Sequence, residues 1–283
     1  MLLTTNSTSR SDSVRALIGA SHVPPTLAVT AFTTVLAISS GRGWTSVAVA
    51  TAVLCGQLTV GWSNDFIDRE RDLLCGRTDK PIPAGRISAQ VVRNSAIVAA
   101  TVCVPLSMLS GWRAGCVHIV AVAAALSYNL GLKRTAFSVL PYIVAFGLLP
   151  VFVSLGRRGH PAPPAWTIVA AALLGAGAHF LNTLPDLDDD ARTGVHGLPH
   201  RFGAAGSVVV GAALLSASVL TVSIAPDQPL SGLGLFLTIS CMSVVAAVTV
   251  AAATGRSRLA WHLSLGAATV TVALYLVRNR AGW

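Results

Sequence analysis

Acid is what this chain lacks. Of 283 residues only 11 are Asp or Glu, against 20 Lys and Arg, and charged residues make up 11% of the whole. An ordinary soluble domain carries roughly 25% charge, so the composition excludes a water-facing surface over most of the molecule. Cysteine is sparse too: Cys55, Cys75, Cys103, Cys116 and Cys241 are scattered with no C-x-x-C pair, which argues against a zinc site and against a disulfide framework. The Ser/Thr-rich start has no apolar core ahead of its first basic residues, so residues 1–15 read as a mobile cytoplasmic tail and not as a cleaved signal.

What is present is apolar sequence in long runs. Residues 16–39, 44–63, 91–111, 114–130, 136–155, 166–184, 204–225, 231–253 and 260–277 are nearly free of charge, and each is about long enough to cross a bilayer as a helix. The expected fold is therefore all-α: one polytopic membrane bundle over residues 16–283 with about nine transmembrane helices. The middles of nearly all runs lack Asp, Glu, Lys and Arg, which argues against an ion pathway. A net charge of +9 does not imply nucleic acid here. With nine spans, 14 of the 20 bases fall on the side of the tail and of loops 2-3, 4-5, 6-7 and 8-9. That asymmetry orients a protein in a bacterial-type cytoplasmic membrane with the N-terminus and these loops cytoplasmic.

The few acids are not spread evenly. Nine of the 11 lie in two windows, Asp65, Asp68, Glu70, Asp72 and Asp79, then Asp186, Asp188, Asp189 and Asp190. At about 100° per helical residue, Asn64, Asp68 and Asp72 share one face with Asp65, and Glu70 points away. Asn182, Asp186 and Asp190 repeat the same four-residue steps, so N-x-x-x-D-x-x-x-D occurs twice, at the ends of spans 2 and 6. An even number of intervening spans makes the two helices parallel, as a duplicated four-helix unit would. Pro185 interrupts the second pattern and is expected to kink or end that helix.

Acids at span ends are ordinarily solvated, some paired with neighbours such as Arg69, Arg71 or Arg192. Three carboxylates on one face repel, however, and here the arrangement is repeated. Oxygen-only donors without His or Cys suit Mg²⁺, which keeps open positions for a substrate phosphate. Two such faces suggest a diphosphate clamped between them, with Asp65, Asp68, Asp72, Asp186 and Asp190 as metal ligands beside Asn64 and Asn182. Arg77, Lys80, Lys133, Arg134 and Arg192 lie in loops on the same side and would complement the remaining diphosphate oxygens.

"NDFIDRERD" and "DLDDD", with "RTDKPIPAGRIS" and "YNLGLKR" following, resemble the paired motifs of the UbiA superfamily of intramembrane prenyltransferases. The resemblance implies a helical bundle whose cavity opens to lipid and binds an isoprenoid diphosphate through Mg²⁺, two ions bridging it. Carried over by position, Asn64, Asp65, Asp68 and Asp72 match the first motif, Asp186 and Asp190 the second. Tyr128 and Lys133 match approximately the tyrosine and lysine that follow span 4, and Asp188 and Asp189 are not motif positions. The implied activity is transfer of the prenyl group to an aromatic or hydroxyl acceptor, the partner being an aromatic or lipid molecule. Cyclisation without acceptor uses the same ionising residues and is the alternative.

Other residues have weaker claims. His179 lies one turn before Asn182, where it would serve as a general base or simply as a hydrogen-bonded bundle histidine; His22, His118 and His262 are further span histidines. Trp62, Phe66, Tyr142, Phe146 and Phe180 have π faces suited to a cation but equally suit packing. Residues 194–203, Gly-rich and basic, read as a lid or as an ordinary loop.

Overall fold

The computed structural model describes residues 10–279, all helix and connection with no strand among them. In chain order the helices are α1 (Arg10–Gly19), α2 (Val23–Ser39), α3 (Ser46–Leu74), α4 (Ala89–Met108), α5 (Trp112–Leu130), α6 (Leu140–Leu155), α7 (Ala165–Thr183), α8 (Leu187–Arg192), α9 (Leu198–Ile224), α10 (Gly232–Ala253) and α11 (Ser257–Arg278). Each of the nine expected apolar runs lies mainly in one of the helices α2 to α7 and α9 to α11. Among the described residues, seven helices are long and apolar enough to cross a membrane, and α1 with α2, bent by 68°, would make an eighth. The remaining run, α6, has 16 residues and so spans about 24 Å at 1.5 Å per residue, short of a full hydrocarbon crossing.

The boundaries depart from the apolar runs for local reasons. The first run is broken at His22, whose left-handed backbone (φ 54°, ψ 59°) turns the chain before Pro24 and Pro25 start α2. Helix α1 begins at Arg10, inside the stretch read as a tail; residues 1–9 lie outside the described residues. Helix α3 continues to Leu74, past the expected end at 63, because nothing in "SNDFIDRERDLL" breaks a helix and its acids find partners. Capping is conventional where it occurs: the Ser88 and Ser231 hydroxyls accept from the Val91 and Gly234 amides at 3.3 and 3.1 Å.

Three apolar clusters are buried among the described residues, a small one around Ala16, Ala20, Ile87 and Val92 and two larger ones. Of the larger two, one gathers Val29, Val49, Val53, Phe152 and Val153 from α2, α3 and α6; the other gathers Leu181, Leu215, Val219, Val248 and Leu274 from α7, α9, α10 and α11. Leu36 of α2 packs against both. Small residues permit close approach between α6 and α7: a Cβ on Gly175 of α7 would stand 2.7 Å from Phe146 Cγ and 2.8 Å from the Tyr142 carbonyl oxygen, so only glycine lets the two helices meet there.

Candidate active site

From Asn64 to Asp72 the first window lies on one unbroken helix, so the four-residue spacing puts these acids where the sequence implies, while Asp79 lies in the loop that follows. Asp65, Asp68 and Asp72 are all buried, while the Glu70 side chain is 80% exposed and paired with Arg69 at 2.8 Å. Asp68 is the most heavily held. Its carboxylate takes the Lys133 ammonium, Arg71 at 3.2 Å and the Asn64 amide at 3.1 Å. Asn64 is fixed in turn by Asn129 of α5, whose oxygen accepts from it at 3.1 Å while its amide donates to the Val60 carbonyl and Ser63 hydroxyl, both at 2.9 Å.

The second window is not one helix. Helix α7 stops at Thr183, a 3-10 turn covers Leu184–Asp186, and α8 restarts at Leu187. Pro185, lacking an amide hydrogen, accounts for the break. Asp186 and Asp190 both turn toward α3: Asp186 meets Arg77 at 2.8 Å and Asp190 meets Arg71 at 2.8 Å. Arg71 thus touches Asp68, Asp72 and Asp190 and ties the two windows together across 119 residues of sequence. Asn182 donates to the Tyr142 hydroxyl at 3.5 Å, while Asp188 is exposed and Asp189 pairs with Arg192.

The windows face one cavity of about 670 Å³, within the usual range of small-molecule sites of about 300–1,000 Å³. Asn64, Asp68, Asp72, Asn182, Asp186 and Asp190 line its mouth together with Arg71, Arg77, Lys80 and Lys133. Its body is apolar, with Val29, Phe32, Phe146, Leu149, Leu174 and Leu265 on its walls. Tyr128 and Tyr142 stand edge to face at 5.3 Å between mouth and body. Burial pushes the Lys133 ammonium below the usual lysine range against the opposing pull of Asp68. Arg77 is held above its ordinary value mainly by its hydrogen bonds to Asp79, whose carboxyl is lowered in return.

Four of the residues singled out from the sequence lie away from the cavity lining. Arg134 is exposed and does not line the cavity, and Arg192, 70% exposed on Asp189, does not either. Asp65, 2% exposed, lies behind the cavity wall, where its carboxylate takes His22 at 3.0 Å and Lys80. His179 is buried behind Tyr128 and Tyr142 on the Ser138 hydroxyl at 3.0 Å and does not reach the cavity. Arg71, which the sequence offers only as a neighbour pairing with the acids, lines the cavity, and so does Asn129, which the sequence does not single out. A signal for Arg71 existed: it follows Asp68 by three residues and so shares its face. None pointed to Asn129, whose role comes from contact between α5 and α3.

Among the described residues, no three His, Cys, Asp or Glu side chains are gathered closely enough to hold a metal as they stand, since bases occupy the carboxylates. The donor chemistry nevertheless suits a hard divalent cation: Asp68, Asp72, Asp186 and Asp190 stand at the mouth with the side-chain amides of Asn64 and Asn182, no thiol lines the cavity, and the imidazole at the mouth is that of His22.

Fold and site together define an all-helical membrane protein with an apolar interior cavity closed by facing carboxylates and bases. The chain belongs to the UbiA prenyltransferase family, whose model matches residues 22–269. It is 30% identical over 187 residues to a digeranylgeranylglyceryl phosphate synthase from Methanopyrus kandleri, a match covering 64% of each chain. Over 175 residues it is 30% identical to a 4-hydroxybenzoate octaprenyltransferase from Alkalilimnicola ehrlichii, covering 61% of this chain and 59% of that one. The matches thus span less than two thirds of these relatives' lengths. Among solved structures, the apo form of a UbiA homolog from Aeropyrum pernix K1 superposes with a TM-score of 0.74 at 20% identity, covering 89% of this chain and 97% of that one. A UbiA homolog from Archaeoglobus fulgidus bound to DMAPP and Mg²⁺ gives a TM-score of 0.66 at 13% identity, covering 91% and 99%.

Proposed function

We propose that the protein is a Mg²⁺-dependent intramembrane prenyltransferase that ionises an isoprenoid diphosphate and passes the prenyl group to an aromatic or hydroxyl acceptor. One observation carries the reading: two aspartate windows far apart in sequence meet across the mouth of a single apolar cavity, joined by Arg71. The diphosphate sits at the mouth and the prenyl chain in the body. Arg71, Arg77, Lys80 and Lys133 bind its oxygens and neutralise the charge that grows as the allylic C–O bond breaks with its electron pair on the leaving oxygen. Asp68 and Asp72 on one side, Asp186 and Asp190 on the other, with Asn64 and Asn182, would hold two ions. The chemistry supplied by bound Mg²⁺ is further neutralisation of that diphosphate.

Tyr128, Tyr142 and Phe146 present ring faces or edges beside the mouth, where an allylic cation would form away from water. The acceptor carbon or oxygen then bonds to the allylic carbon and loses its proton to the released diphosphate. Support for this substrate class comes from the Archaeoglobus fulgidus homologs bound to DMAPP or GPP and Mg²⁺, and for an aromatic acceptor from the 4-hydroxybenzoate relative. The basic excess on one side supports a cytoplasmic orientation of the mouth and N-terminus.

The test is diphosphate release from geranyl, farnesyl and geranylgeranyl diphosphates in detergent, with and without EDTA, followed by analysis of acceptor-free products. Release is expected to stop in EDTA, and acceptor-free incubation is expected to give prenyl alcohol with no cyclic hydrocarbon above background. Unchanged release in EDTA would remove the metal; a dominant cyclic terpene without acceptor would replace transfer by cyclisation.

A further inference from the structure

Three segments converge on one carboxylate that does not face the cavity. The α1–α2 corner lies against α3 so closely that a Cβ on Gly61 would come within 2.4 Å of the Ser21 carbonyl oxygen. The Trp62 indole donates to the Leu17 carbonyl at 2.9 Å, and a Cβ on Gly19 would touch Pro81 in the loop after α3. One turn along α3 from Gly61, Asp65 receives His22 from the corner at 3.0 Å and Lys80 from that loop, and Lys80 stands 3.0 Å from His22 as well. His22 holds this position in a left-handed backbone, a conformation costly for a residue other than glycine and maintained here by its surroundings. His22 and Lys80 both line the cavity mouth; Asp65 does not.

From this arrangement we infer that Asp65 is a positioning residue and not a metal ligand. It fixes the Lys80 ammonium at the mouth and docks the α1–α2 corner as one wall of the same mouth. The inference rests on the diphosphate reading above for what Lys80 meets, but not for the docking of the corner. A buried carboxylate between two donors from different segments acts as a shared anchor, because leaving either donor or acceptor unpaired there is costly. When a diphosphate oxygen arrives, Lys80 is already aimed at it, so less side-chain freedom is lost on binding.

Asp65→Asn keeps the shape and removes the charge. Expected is a rise of about tenfold in KM for the prenyl diphosphate together with a lower kcat, since the misplaced Lys80 ammonium both binds the diphosphate and neutralises its growing charge. The Mg²⁺ concentration for half-maximal activity is expected to stay at the wild-type value, whereas Asp68→Asn raises it. Lys80→Met should reproduce the KM effect, and the double variant should add little to either single one. An activity-independent readout covers the corner: in detergent, trypsin is expected to cut at Arg15 about tenfold faster in Asp65→Asn than in wild type, because α1 undocks more often. A Mg²⁺ requirement raised as in Asp68→Asn, additive effects with Lys80→Met, or an unchanged rate of cleavage at Arg15 would each overturn the inference. If the wild-type protein ionises no prenyl diphosphate, the activity reading fails, and the cleavage rates still decide the anchor.

Discussion

Replacing Arg71 by methionine removes a side chain that touches three carboxylates from both acidic windows while keeping its apolar stem. Arg71 lies 2.8 Å from Asp190, 3.2 Å from Asp68 and 3.5 Å from Asp72, and its own side chain is only 21% exposed. Breaking a buried pair costs about 3–5 kcal/mol because the carboxylate left behind has no compensation. Asp68 keeps Lys133 and Asn64, so the loss falls mainly on Asp190 and Asp72, and the lower end, about 3 kcal/mol, is expected. At roughly 2–4 °C per kcal/mol for a chain of this order of size, the detergent-solubilised variant should unfold about 6–12 °C below wild type in EDTA. A divalent cation offers the freed carboxylates another partner, and a ligand at 100 times its Kd contributes about 2.7 kcal/mol. Thermal unfolding followed by tryptophan fluorescence, in EDTA and in millimolar Mg²⁺, should therefore show the gap between variant and wild type narrowing with metal. Equal Tm values in EDTA would refute the bridge, and a gap unaffected by Mg²⁺ would refute the carboxylates as its site.

The remaining tests separate the mouth from its surroundings. Asp68→Ala and Asp186→Ala should each lose most turnover while still inserting in membranes, whereas Glu70→Ala, on the exposed face with Arg69, should stay within about twofold of wild type, as expected for a surface pair; diphosphate release on matched protein amounts decides it. Arg192→Ala should change neither KM nor Tm measurably, since exposed pairs contribute about 0–1 kcal/mol and Arg192 only meets Asp189.

Hydropathy and helical period made much of this protein legible in one dimension. A bilayer demands long uncharged runs with every backbone group bonded internally, so the nine apolar stretches and the all-helical fold follow from composition. The same period placed Asp68 and Asp72 on one face of α3 and Glu70 on the other, because that relation is internal to a helix. Pro185 announced the break after α7 for an equally local reason.

Which base meets which acid was decided only by the tertiary structure. Lys133 and Arg134 are neighbours, yet one is buried on Asp68 and the other faces out; Arg77 reaches Asp186, while Arg192, six residues from it, turns to Asp189. Loop bases have no period to fix their direction, and the Pro185 break frees the helical phase of everything after it. The departure of Asp65 from its motif partners has the same origin. Its place on α3 is set by sequence, but His22 and Lys80 come to it from a left-handed corner and a loop, and their joint approach turns a carboxylate that one helix alone would give to the cavity into the anchor behind its wall.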